Sequence, residues 1–185
     1  MQIIKQSLLE KYHLNNFQIA QLLFLGKTIA SEISKIIIIA IIFHQQLDIF
    51  LFALVILVML RCSTGGIHFY TYIKCLAGSI LYFGLALILL PHIPMSHTLK
   101  ILFCLLCVLI CYVVGPVPSR YRPPYTNKFI KHCKIIITTF LLLYTFILHI
   151  IPKSQYVIVG FWIIILHSLQ LLTAKYIRKL PVYFK

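Results

Sequence analysis

A histidine and a cysteine, the two residue types that together perform thiol-dependent acyl transfer, stand seven positions apart in RCSTGGIHFYTYIKC, residues 61–75. A thiolate attacks a peptide carbonyl, and an imidazole can take the thiol proton and later return it to the leaving amine. The two groups must come within about 2.6–3.2 Å. A straight helix would put His68 and Cys75 on one face but roughly 10 Å apart along the axis, so the chain has to bend. Gly65 and Gly66 allow that, because a residue without a Cβ reaches backbone angles that others avoid. By itself the pair is weak evidence, since a buried helical cysteine usually only packs.

A third group could orient the imidazole. Glu32 is costly to bury in an apolar segment unless it pairs or works; its alternative role is a salt bridge to Lys35, one turn away. Ser119 and Asn127 can also hydrogen-bond an imidazole, whereas Asp48 falls in a turn on the opposite side. Cys104, Cys107 and Cys111 share one helical face. No histidine or carboxylate joins them in sequence, so packing is the preferred role and no metal is expected. His92 and His97 flank a proline turn and read as solvated loop residues.

The elements that must position these residues are membrane helices. Apolar residues make up 61% of the 185 and the mean hydropathy is +0.98, well above an ordinary soluble domain. About 20 apolar residues cross roughly 30 Å of hydrocarbon, and six segments qualify: 17–43, 49–60, 75–91, 98–114, 135–151 and 156–174. The second is short for a full span. Residues 1–16 place Ile4, Leu8 and Tyr12 on one face, which suits an interfacial amphipathic helix or a first helix packed on the bundle.

The formal net charge of +14 would suggest nucleic acid in a soluble protein, but no basic stretch has aromatics interleaved on a polar face, so no nucleic acid is expected. In a membrane chain it sets orientation instead. With six crossings and the N-terminus inside, fourteen Lys and Arg fall on the inner side and only Lys100 and Lys153 on the outer. Both termini are then cytoplasmic. The sequence thus predicts an all-α integral membrane bundle of about six helices forming one domain over 1–185, with a catalytic segment at 61–75 and a basic cytoplasmic loop at 115–134.

Arg61, the Gly65-Gly66-x-His68 motif, Cys75 and the stretch GPVPSRYRP at 115–123 resemble the accessory gene regulator B (AgrB) family, membrane peptidases of Gram-positive bacteria. The similarity extends to length, basic character and segment order. It implies that His68 and Cys75 are catalytic, that Arg61, Gly65 and Gly66 shape the site, and that the substrate is an AgrD-like precursor peptide with an acidic C-terminal part. It further implies closure of a thiolactone or lactone ring without any cofactor, for quorum sensing. Many members carry an acidic residue near Pro118 or Ser119, and this chain has none, so no carboxylate from that loop is expected to act as the third group. Besides the lipid bilayer and the peptide, a second copy of the chain is a conceivable partner in a homodimer. A small transporter without catalysis is the competing class; it predicts polar residues along a path through the bundle.

Overall fold

The computed structural model describes residues 16–66, 71–117 and 125–179. Six long helices follow in chain order: α1 (Asn16–Ile42), α2 (Leu47–Thr64), α3 (Tyr72–Gly84), α4 (His97–Val114), α5 (Asn127–Ile150) and α6 (Gln155–Lys179). The rod begun by α3 continues through a π turn, Leu85–Leu89, and a 3-10 turn, Leu90–His92. Pro91 lacks an amide donor and its ring crowds the carbonyl four residues back, so regular α geometry does not pass through it.

Contacts divide the chain into two compact units, Met1–His44 and Gln45–Lys185. In the first, α1 is 27 residues long, and Glu32 pairs with Lys35 on the next turn. The amphipathic segment expected at 1–16 lies outside the described residues except for Asn16, the first residue of α1. Lys27, Glu32 and Lys35 all lie within the length of α1, before its uninterrupted apolar run at 36–42. Ionisable residues in mid-membrane are expensive unless paired, and this helix is set apart from the other five on that ground.

Five described segments are long and apolar enough to cross a membrane: His44–Thr64, Tyr72–His92, His97–Val114, Asn127–Ile150 and Gln155–Ile177. The run at 49–60, too short by its apolar residues alone, belongs to a 21-residue segment, about 31 Å long at 1.5 Å per residue. Arg61, Cys62 and Thr64 stay helical because no breaker precedes Gly65. The basic stretch 115–134 also differs from a simple loop. Asn127–Lys134 form the first turns of α5, whose start is capped by Thr126 Oγ1 accepting from the Phe129 amide at 3.4 Å. Cys133, Ile137, Leu141, Tyr144 and Leu148 form its buried stripe, which continues helical periodicity beyond the apolar run that marked the segment in sequence.

Side-chain contacts give the helix directions in the second unit. Near their starts, the Tyr156 hydroxyl of α6 donates to the Asp48 carboxylate of α2; at the end of α2, Thr64 meets His167, halfway along α6. The two helices therefore run parallel. The ring of His97 at the start of α4 stacks on His149 at the end of α5, with centroids 5.4 Å apart, and Lys134 lies 4.9 Å over Tyr112 at the other end. Those two run antiparallel. Such alternation brings Arg61, Lys74, Lys128, Lys131, Lys134 and Lys175 to one end of the unit and Lys100 and Lys153 to the other.

The apolar core between the ends has few polar groups, and two of its hydroxyls are returned to backbone carbonyls. The Tyr82 hydroxyl donates to the Ile163 carbonyl at 2.8 Å and the Tyr144 hydroxyl to Val157 at 2.6 Å. Phe50 and Phe83 meet edge to face at 4.9 Å. Gly160 permits the closest approach: a Cβ there would lie 2.6 Å from Ile56 Cδ1 and against the Tyr144 hydroxyl. Gly160→Val should lower the unfolding midpoint in detergent, by overpacking worth about 1–3 kcal/mol. Gly26→Ala, where a Cβ meets nothing within 4 Å, should leave it unchanged or raise it.

Candidate active site

Thr64, the last residue of α2, is fully buried and makes three connections. Its hydroxyl donates to the Leu60 carbonyl at 2.7 Å and lies 2.7 Å from His167 Nε2 on α6. Since the single hydroxyl proton is directed at Leu60, the imidazole must be the donor in the second contact, which assigns a proton to Nε2. The Thr64 carbonyl accepts from the Val117 amide at 2.9 Å. One residue thereby joins the end of α2, the interior of α6 and the segment that follows α4.

Gly65 continues this junction. Its φ of 79° lies in the left-handed region, it forms an isolated parallel bridge with Val117, and a Cβ would run into the Val117 carbonyl oxygen. Only glycine meets both demands. Gly66 has neither constraint, because a Cβ there would find Arg61 Nε at 3.8 Å and Gln170 Oε1 at 3.9 Å, which is ordinary contact. The two glycines of the motif therefore do different things: the first docks the chain on the 115–117 segment, and the second passes beside an arginine and a glutamine.

Cys75 lies in the first turn of α3, where its amide donates to the Thr71 carbonyl at 3.1 Å. The preceding turn of any α-helix offers amides with no intrahelical acceptor. The half-buried thiol faces a cavity of about 30 Å³, enough for a water-sized group. Leu57, Tyr82 and Phe83 give this cavity apolar walls, while Arg61 and Gln170 supply polar ones. The guanidinium Nη2 of Arg61 donates to Gln170 Oε1 at 3.5 Å, and its Nε is buried without a partner among the described residues.

This is a thiol beside a half-buried arginine, in a cleft at the basic end of a membrane bundle. Residues 2–172 match the model of the family described as accessory gene regulator B. The chain belongs to the accessory gene regulator B family. A "Putative AgrB-like protein" of Clostridium beijerinckii is 36% identical over 117 residues, which are 62% of this chain and 59% of that relative. The match thus spans less than two thirds of the relative's own length. No solved structure matches the chain.

The residues singled out from the sequence are distributed unevenly. Arg61 and Cys75 line the cavity, Gly66 passes beside Arg61 and Gln170, and Gly65 sits on Val117, whereas His68 and Ser119 lie outside the described residues. Glu32 is bonded to Lys35 and half exposed, the salt-bridge role weighed for it. Asn127 is an exposed residue in the first turn of α5, next to the capping Thr126. Asp48 is engaged by Tyr156 at the end of the unit remote from Cys75. His97 is bonded to His149 at 3.3 Å instead of standing in solvent. Cys104, Cys107 and Cys111 are buried and packed, and among the described residues no three His, Cys, Asp or Glu side chains group as metal ligands.

Sequence reasoning overlooked Thr64, Tyr82, His167 and Gln170. A usable signal existed for two of them: His167, Ser168 and Gln170 put three polar residues in four positions of a lipid-length segment, and polar groups inside a bundle are costly enough to imply partners. Gly65→Ala should abolish accumulation of folded protein or reduce it severalfold, by strain and collision at Val117, while Gly66→Ala should accumulate normally. Quantitative blotting of membrane fractions, with a thermal shift on the purified proteins, checks the difference.

Proposed function

We propose that this family member is a membrane-embedded cysteine endopeptidase which cleaves a short AgrD-like precursor peptide at the cytoplasmic face and supports thiolactone or lactone closure for quorum sensing. The observation that carries the reading is the position of Cys75: at a helix start, in a cavity with Arg61, at the end of the bundle where the cations collect. Excess Lys and Arg on one side of short-looped membrane proteins marks the cytoplasmic side. The same cations suit an acidic peptide lying at the membrane surface.

In this mechanism His68 takes the proton of the Cys75 thiol, and the thiolate sulfur attacks the scissile carbonyl carbon. The C–S bond forms as the carbonyl π pair moves onto oxygen. Collapse of that tetrahedral species breaks the C–N bond, and His68 returns the proton to the departing amine. An internal thiol or hydroxyl of the precursor then attacks the thioester, closing the ring and regenerating Cys75. Exchange of one thioester for another is close to isoenergetic, so a thiolactone requires no external energy source. The transporter alternative is less well supported, because the tyrosine hydroxyls in the middle of the unit are bonded to backbone carbonyls and do not line a polar path.

Cys75→Ser and His68→Ala should each abolish cleavage of a co-expressed precursor, while membrane abundance stays normal. The double variant should be no worse than either single one, since nucleophile and base act as a unit. Cleavage that persists in Cys75→Ser would exclude the cysteine mechanism. Orientation is checked separately at Cys62, the exposed thiol one residue after Arg61. An impermeant maleimide should label it in inverted vesicles and not in intact cells.

A further inference from the structure

The cavity beside Cys75 contains one residue that comes from the far end of the chain and that neither the motif nor the mechanism uses. Gln170 lies on α6, 95 positions after Cys75 and 109 after Arg61, yet it lines the same cavity as both. Its carbonyl oxygen is the acceptor for Arg61 Nη2 at 3.5 Å, at the long end of the hydrogen-bond range, and contacts of this kind tighten when substrate fills a site. Gln170 also passes beside Gly66, the residue two before His68. The arginine thus held has a buried Nε with no partner among the described residues. An unfulfilled buried donor costs about 1–3 kcal/mol, a cost that is recovered if an oxygen arrives to accept from it.

We propose that Gln170 is a positioning residue of the active site: by accepting from Nη2 it aims the Arg61 guanidinium at the oxygen of the carbonyl that Cys75 attacks, so that Arg61 stabilises the developing oxyanion. The inference rests on the reading of Cys75 as the nucleophile. A cation fixed before the reaction is worth more to an oxyanion than one that must reorganise, and loss of a single such donor typically costs about 100-fold. Truncating the group that only aims it should cost about tenfold. Glutamate at the same position keeps the acceptor; leucine keeps only the volume.

The test uses the full chain in nanodiscs, with exposed Cys62 changed to Ser, and compares two reactions of Cys75. p-Nitrophenyl acetate acylates the thiol through a tetrahedral oxyanion and releases p-nitrophenolate; iodoacetamide alkylates the same thiol at a saturated carbon, without an oxyanion. Gln170→Leu should slow acylation about tenfold and leave alkylation unchanged, and Gln170→Glu should restore most of the acylation rate. Equal slowing of both reactions in Gln170→Leu, no slowing of either, or failure of Gln170→Glu to restore acylation would each overturn the positioning role. If the wild-type residue Cys75 is alkylated but not acylated, the nucleophile assignment itself is overturned.

Discussion

The junction at Thr64 is the interaction on which the Cys75 end of this protein depends. In an environment with little water, a backbone or hydroxyl group that loses its partner is expensive, and α2 stops where the chain must leave the helix and pass to the next segment. Thr64 meets that requirement locally with Leu60 and across the bundle with His167, and its carbonyl takes the Val117 amide. Gly65 can then lie directly on Val117 because it has no side chain and adopts a positive φ. The chain that leads toward His68 and Cys75 is thereby anchored at a defined place before the first turn of α3 begins.

The rest of the second unit provides a scaffold of contrasting character. Apolar packing holds its middle, with Gly160 giving close approach and the hydroxyls of Tyr82 and Tyr144 returned to backbone carbonyls. The three cysteines of α4 contribute small buried side chains, one of which, Cys111, lies 3.6 Å from Ser168 on α6. A thiol there behaves as a compact hydrophobe. Cys75 differs from these three in having a half-buried position, a helix start and an arginine on the facing wall. The cysteines are thus distinguished by environment as well as by motif.

α6 has more influence on the site than its sequence suggests. It is the helix farthest in the chain from residues 61–75, and because it runs parallel to α2 its second half reaches the same end of the bundle. From there His167 meets Thr64, Ser168 meets Cys111, and Gln170 meets Arg61. Of the three polar residues in this lipid-length stretch, Gln170 forms a polar wall of the cavity, while His167 and Ser168 face α2 and α4.

Composition and periodicity alone determined the all-helical membrane character, the order of the apolar segments and the sorting of the cations, because transfer of side chains into hydrocarbon is a property of each residue and of its near neighbours. The Gly-Gly-x-His and Cys75 pattern singled out the segment proposed to react by its residue types alone, because a thiol and an imidazole are what thiol-dependent acyl transfer uses. Segment lengths were less legible. The second apolar run looked short because Asp48, Arg61 and Thr64 at its ends are polar, yet a helix continues through polar residues until a breaker such as Gly65 ends it. The partners of Thr64, Arg61 and Asp48 could only come from tertiary structure. His167, Gln170 and Tyr156 all lie on α6, more than a hundred residues away from them, and no local propensity encodes which helix packs beside which. The same holds for the difference between Gly65 and Gly66: both are glycine in the sequence, and only the approach of Val117 makes the absence of a Cβ obligatory at the first.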